Sequence, residues 1–175
     1  MRSATFALFA GFAFLSAGLL GLMPAALEPA PADAPPVRVT MLYGYLLGIF
    51  PVNVVHSIVH LAIGAAGIYA WKSDHSGRRM DTPKIYARAL AIVYGALALL
   101  GIIPGMQTFF GLVPLHGNDV WLHAGTAAFA AYFGWRSEAF VDRRAERSDR
   151  RQEPKPVERE RRLGHSDRRV PGSEV

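Results

Sequence analysis

The residues of this chain that could do chemistry are polar side chains set inside apolar runs. Between residues 50 and 71 the sequence reads FPVNVVHSIVHLAIGAAGIYAW, which places His56 and His60 in the middle of an apolar segment. A later apolar segment carries Asp119 and His123 at the same spacing of four. That spacing puts both members of each pair on one face of a helix.

Such groups suit three kinds of chemistry, and the spacing alone does not choose among them. Histidines on facing helices can hold haem or a divalent metal ion, and His–Asp chains can relay protons. The simplest reading is structural, with hydrogen bonds between helices. We take His56, His60 and His123 as candidate cofactor-binding residues, assign no catalytic residue and no metal ligand, and expect no cofactor. The wider intramembrane polar cluster comprises Asn53, His56, His60, Asp119 and His123.

Four apolar blocks position these residues, at about 4–23, 53–72, 85–104 and 118–136. Each is close to the roughly 20 residues that a membrane-spanning helix needs. The mean hydropathy of +0.17 is modest because a charged tail follows the last block. We therefore predict an all-α integral membrane four-helix bundle over residues 1–136. The first block could instead be a cleaved signal peptide, but its apolar run is longer than a signal core, and we expect it to be retained.

The basic residues favour one orientation. Apart from Arg38, every Lys and Arg precedes the first block, lies around the connection between the second and third, or follows the fourth. The positive-inside rule then makes both termini cytoplasmic. We expect the tail, residues 137–175, to be partly helical and then disordered, because its charges alternate in sign and little in it is apolar.

The expected partners follow from this distribution. The formal charge is +5, and most of the basic residues lie on one side of the proposed spans or in that mixed-sign tail, so we expect a lipid bilayer and no nucleic acid. A homo-oligomer and a contact of the tail with anionic lipid are kept open. The absence of cysteine excludes disulfides and thiolate metal sites.

The chain also repeats itself. Gly-Ile-Phe-Pro, ending at Pro51, matches Gly-Leu-Val-Pro, ending at Pro114, and the same register aligns His60 with His123. LLGLMP at 19–24 likewise matches LLGIIP at 99–104. We predict two parallel helix-pair repeats. The residues that begin the second helix of each pair form a helix-start motif of Gly48, Pro51, Gly111, Pro114 and Asn118.

Finer expectations follow for the interior. Asn53 and Asn118 should cap their helices, and MLYGYLLGIF, too short to span, should lie along the outer interface. Small residues that recur every three or four positions mark the inward face of each helix. His60 and His123 should face each other there, with Asp119 reaching a histidine across the bundle.

Three stretches carry a family resemblance: LGIFPVNVVHSIVHLAIGAAG, YARALAIVYGALALLGIIPG and FGLVPLHGNDVWLHAGTAA. Over about residues 4–135 the chain resembles the bacterial membrane proteins grouped as domain of unknown function 4383. The resemblance implies a four-span, multi-pass protein of the bacterial inner membrane, and it brings no reaction, cofactor or binding residue. In fold the chain is also similar to the four-span family named for DoxX, some of whose members are linked to quinone-dependent oxidation, an analogy that does not fix function.

Three functional hypotheses remain open from the sequence. The first is a non-enzymatic inner-membrane protein of unknown biochemical role. The second is a redox or proton-handling protein that uses the His/Asp cluster with haem, a metal or a quinone. The third is a membrane anchor that recruits a partner through its tail.

Overall fold

The fold is mostly helical in a computed structural model that describes residues 2–74 and 81–136. The four helices are α1 (Ser3–Gly21), α2 (Val54–Asp74), α3 (Thr82–Ile102) and α4 (Asn118–Trp135). A 3-10 turn, Pro24–Ala26, follows α1. The helix and the disorder predicted for the tail lie outside the described residues.

Three of these helices, α1, α2 and α3, are long and apolar enough to cross a membrane. The fourth helix is 18 residues long and is not among them. It begins with Asn118 and Asp119 and carries His123 a turn later, and these polar residues lower its hydropathy. The three apolar helices give the chain the character of an integral membrane protein.

The helices pack closely as two pairs, α1 with α2 and α3 with α4. In the first pair, glycines allow the close approach, since a Cβ added to Gly64 would lie 2.7 Å from the Cγ of Leu15. Close packing through small residues is how helices associate in lipid. As the sequence predicted, the small residues of α1 and α3 face inward: Ala7, Gly11, Gly18, Gly21, Ala87, Ala91, Ala98 and Gly101 are buried. A core of α1, α3 and α4 side chains includes Phe6, Leu90, Tyr94 and Phe133.

Each pair also contains an equivalent contact, at the end where its two helices are connected. A Cβ on Gly21 of α1 would meet the Ser57 hydroxyl and Val52. One on Gly101 of α3 would meet Val120, at 2.8 Å, and the Leu115 carbonyl. The register that aligns His60 with His123 also aligns Ser57 with Val120 and Val52 with Leu115. Equivalent residues therefore make the contact in both pairs.

A small sheet forms in the connection between α1 and α2, which the sequence did not predict. Strands β1 (Leu27–Glu28), β2 (Gly44–Leu46) and β3 (Phe50–Val52) are antiparallel and lie in that order. MLYGYLLGIF thus contributes β2 and the first residue of β3, and strands of two or three residues are too short to show the alternation that marks a strand. Pro51 is accommodated because β3 is an edge strand. An edge strand pairs on one side only, so a residue without an N–H can lie there without removing a hydrogen bond between two strands.

The helix-start motif has the same backbone course in both halves. Gly48 and Gly111 have positive φ angles of 70° and 86°, and the residue before each also has a positive φ. The Gly48 N–H donates to the Tyr45 carbonyl, and the Gly111 N–H donates to the equivalent Thr108 carbonyl. Three residues after each glycine the chain turns inward at a fully buried proline, Pro51 or Pro114.

Candidate functional site

Three histidines from two helices meet in the interior. His56 and His60 come from α2 and His123 from α4, and one ligand atom from each lies within 4.8 Å of the others. The His56 ring centroid is 4.5 Å from that of His60 and 6.1 Å from that of His123. All three side chains are buried. The spacing of four within α2 and the packing of the helices therefore bring together the candidate residues that the sequence singled out.

Asp119 joins this group from one turn earlier on α4. Its Oδ2 is 3.4 Å from the Nε2 of His123, and both side chains are almost completely buried. From the sequence we expected Asp119 to reach a histidine across the bundle, whereas the contact observed is with His123 of its own helix. The spacing of four on one helix already brings the carboxylate beside its own neighbour, which requires no crossing.

Several polar atoms of the cluster have no hydrogen-bond partner within the described part of the chain. They are His56 Nδ1, His123 Nδ1 and Asp119 Oδ2, and the hydroxyl of Ser57 shares this condition. A buried polar atom left unpaired costs about 1–3 kcal/mol. Such atoms therefore mark the places where a ligand would be most stabilising.

Aromatic rings enclose the histidines on one side. Tyr94 of α3 meets the His123 ring edge-on, with centroids 4.9 Å apart, and Phe14 of α1 lies 5.4 Å from His60. We did not assign either residue to the site from the sequence. Their positions could have indicated that they lie near the site, because each is on the small-residue face of its helix.

Asn53 closes the outer end of α2. It is fully buried, and its Oδ1 accepts a hydrogen bond from the His56 N–H, so the predicted N-cap is confirmed. Its Nδ2 donates to the carbonyls of Val39 and Leu112, which belong to different outer connections. The matching prediction for Asn118 is wrong, because α4 begins at that residue, Gly117 holds the cap position with a positive φ, and no side chain caps the helix.

His116 lies just before α4 and is a further buried histidine that the sequence did not assign. Its Nε2 has no partner among the described residues, and its ring centroid is 6.3 Å from that of Tyr45. Burial lowers the pKa of His116 below its ordinary value. The sequence carried no signal for this burial, because the covering residue comes from the sheet.

The spacing of the histidines suits a small ion better than a haem. A Zn–N bond is about 2.1 Å, so two nitrogens on one ion can be at most about 4.2 Å apart. Ring movements of under about 1 Å would bring the cluster within that limit. A porphyrin would need a wide slot between two imidazoles, whereas the His56 and His60 rings already pack against each other at 4.5 Å.

The fold and this buried cluster define a helical integral membrane protein with a polar interior. The family model for the domain of unknown function DUF4383 matches residues 4–136, and the chain belongs to that family. Comparison with curated proteins gives no match, and comparison with solved structures gives none either.

Proposed function

We propose that the chain is a four-span membrane protein that binds one divalent transition-metal ion at His56, His60 and His123. The observation that carries the proposal is the pair of unpartnered nitrogens, His56 Nδ1 and His123 Nδ1, buried beside a third histidine. Imidazole suits zinc, copper, nickel and iron. Three protein ligands leave one coordination position open, as in zinc sites that bind water or a substrate.

Asp119 supports the proposal through charge and orientation. A carboxylate beside a metal-bound histidine accepts the proton of the second ring nitrogen and fixes the direction of the ring. With His123 Nε2 facing Asp119, the unpartnered Nδ1 is the nitrogen left for the metal. A divalent ion would in turn supply positive charge next to an acidic group that is only 1% exposed.

The exposed side of α4 supports a fourth span. The polar residues that lower its hydropathy, Asp119 and His123, are each 1% exposed and face the interior. Its outward face presents Trp121, Phe129 and Tyr132, all more than half exposed. An exposed face of large apolar and aromatic residues is stable in lipid and costly in water.

Internal duplication is supported by the contacts that the two helix pairs share. Gly21 and Gly101 pack against equivalent residues, and the turns at Gly48 and Gly111 have matching hydrogen bonds. The same register puts His56 on Asp119 and His60 on His123. We therefore interpret the cluster as the meeting point of two parallel repeats. The basic residues favour an orientation with both termini in the cytoplasm, and the family resemblance implies the bacterial inner membrane.

A structural role is the second candidate, and ring packing favours it. Tyr94 and Phe14 pack against the histidines, and such contacts join helices without any ion. Hydrogen bonds between helices in membranes contribute roughly 0.6–2 kcal/mol each. This role leaves unexplained why two ring nitrogens are buried without partners.

Titration of the purified, chelator-treated full chain with Co²⁺ separates the two candidates. Cobalt bound by imidazole absorbs visible light, so we expect a new band that saturates at one ion per chain. The variants His56→Gln, His60→Gln and His123→Gln should lose the band. The matched control is His116→Gln, which removes a buried histidine outside the cluster and should keep it.

Thermal unfolding in detergent gives a second readout. A ligand that binds only the folded state raises the unfolding temperature, so Co²⁺ or Zn²⁺ should stabilise the wild type and the His116→Gln variant alone. If the wild type gives no band and no shift, and the Gln variants are as stable as the wild type, the histidines serve only to join helices.

A further inference from the structure

A lateral cavity of about 600 Å³ lies against the histidine cluster, between α1, α3 and α4. Its volume is within the roughly 300–1,000 Å³ of small-molecule sites. The walls are almost entirely apolar, and one side is open. The residues that matter here are Phe9, Ala13, His60, Tyr94, Trp121 and Gly125.

The open side faces where lipid would be in the four-span arrangement. Phe9 on α1 and Trp121 on α4 lie at the cavity and are 63% and 75% exposed. The two helices make few contacts with each other, and this separation creates the opening. A molecule enters such a gap from the hydrocarbon of the membrane rather than from water.

The inner end of the cavity is the histidine cluster itself. Of the three histidines, His60 lines the cavity and the other two do not. Tyr94 also lines it and is the residue whose ring meets His123 edge-on. Phe14, which packs near His60, is also a wall of the cavity, and Asp119 lies beside His123.

We propose that this cavity leads a lipid-soluble molecule to the open coordination position of the ion at His60. The ligand is an amphiphile with an apolar body that fills the cavity and one neutral oxygen or nitrogen donor at its tip. The inference rests on the proposed metal site. It goes beyond that site in assigning the direction of access and the chemical class of the ligand.

The outer side of the cluster supports access from the membrane. Asn53, Pro51 and Leu115, which precede α2 and α4 at that side, are almost completely buried. An ion with three imidazole ligands binds a fourth donor only where there is free volume. That volume is the cavity beside His60.

The test uses the Co²⁺-loaded full chain in detergent and the probe 1-decylimidazole, which joins a nitrogen donor to an alkyl chain. Binding of the probe to cobalt shifts the visible band. The variant Ala13→Phe fills the cavity from an exposed position of α1 that tolerates a larger side chain. The matched control is Ala96→Phe, an exposed alanine of α3 that does not line the cavity.

We expect the probe to shift the band of the wild type and of Ala96→Phe at concentrations at least tenfold lower than Ala13→Phe requires. Partition of the probe into detergent is the same for all three proteins, so the comparison isolates the cavity. A cobalt band that the probe does not shift, or shifts equally in all three proteins, overturns this inference and leaves the metal site standing. A wild type that binds no cobalt overturns both.

Discussion

Asp119 and His123 lie one helical turn apart on α4, with Oδ2 and Nε2 separated by 3.4 Å in the interior of the protein. The contact orients a ring whose other nitrogen has no partner. In the proposed metal site this geometry makes Asp119 a positioning residue, because it would act on the ion through the imidazole and not as a ligand.

Replacing Asp119 with Asn should therefore weaken metal binding without abolishing it. Loss of such an outer carboxylate typically lowers affinity 10–100-fold, because the histidine loses its fixed orientation. Competition between the protein and a chelator of known affinity measures the change. The control Asp33→Asn alters an exposed carboxylate and should leave the affinity unchanged. Equal affinities for the wild type and Asp119→Asn would contradict the assigned role.

Two glycine-to-alanine substitutions should have opposite effects on stability. At Gly101 the new methyl group meets the Leu115 carbonyl, and backbone atoms cannot move aside cheaply. Overpacking of this kind costs about 1–3 kcal/mol, so Gly101→Ala should unfold at lower temperature. At Gly125 a Cβ meets nothing within 4 Å, so Gly125→Ala should be neutral or stabilising by up to about 1 kcal/mol. Thermal unfolding in detergent compares them, and equal behaviour would argue against this packing of α3 on α4.

Asn53→Ala should be strongly destabilising, whereas Asn118→Ala should be close to neutral. The first substitution removes the cap of α2 and leaves the Val39 and Leu112 carbonyls without this donor, at a cost of at least about 2 kcal/mol. The second alters an exposed side chain that makes no capping bond and should change stability by under about 0.5 kcal/mol. A large loss of stability in Asn118→Ala, measured by unfolding in denaturant, would show that Asn118 caps α4, although Gly117 holds the cap position in the structure.

The stability of the protein should depend on pH through His116. Because burial lowers the pKa of this histidine in the folded state, the unfolded chain binds more protons near its ordinary value of about 6.5. Stability is then full above that value and is lost as the pH falls below it towards the folded pKa. Unfolding measured from pH 7.5 to 5.5 should show a smaller loss for His116→Gln than for the wild type. Parallel pH profiles would show that His116 does not contribute.

Orientation in the membrane can be tested with two reporter fusions. All basic residues except Arg38 lie on one side of the four proposed spans, so residue 173 should be cytoplasmic and residue 34 periplasmic. A reporter enzyme active only in the periplasm should be active when fused near Ala34 and inactive at Ser173. The reverse pattern would invert the topology.

The sequence predicted the helices well because their signals are local. Runs of apolar residues fixed α1, α2 and α3 to within a few residues of the observed ends, and a spacing of four placed His56 beside His60. The inward faces were also predictable, since small residues recur at helical intervals. These features depend only on residues that lie within one or two helical turns of each other in the sequence.

The features that the sequence did not predict depend on contacts between distant segments. The sheet has strands too short for a periodic pattern, and Leu47 and Phe110 adopt positive φ angles that their types rarely take. His116 is buried by residues far earlier in the chain. The cavity exists where α1 and α4 make few contacts with each other, and the sequence of a single helix does not determine how it packs on another.

The side chain of Asn53 couples the two outer connections mechanically. Its Nδ2 binds carbonyls in both, and the Arg38 and Val39 N–H groups donate to the Gly111 carbonyl beside it. Neither connection can lift away without breaking bonds to the other, so the outer layer should open as one cooperative unit. Backbone amides in the two connections, although far apart in sequence, should then exchange with solvent deuterium through a common opening event.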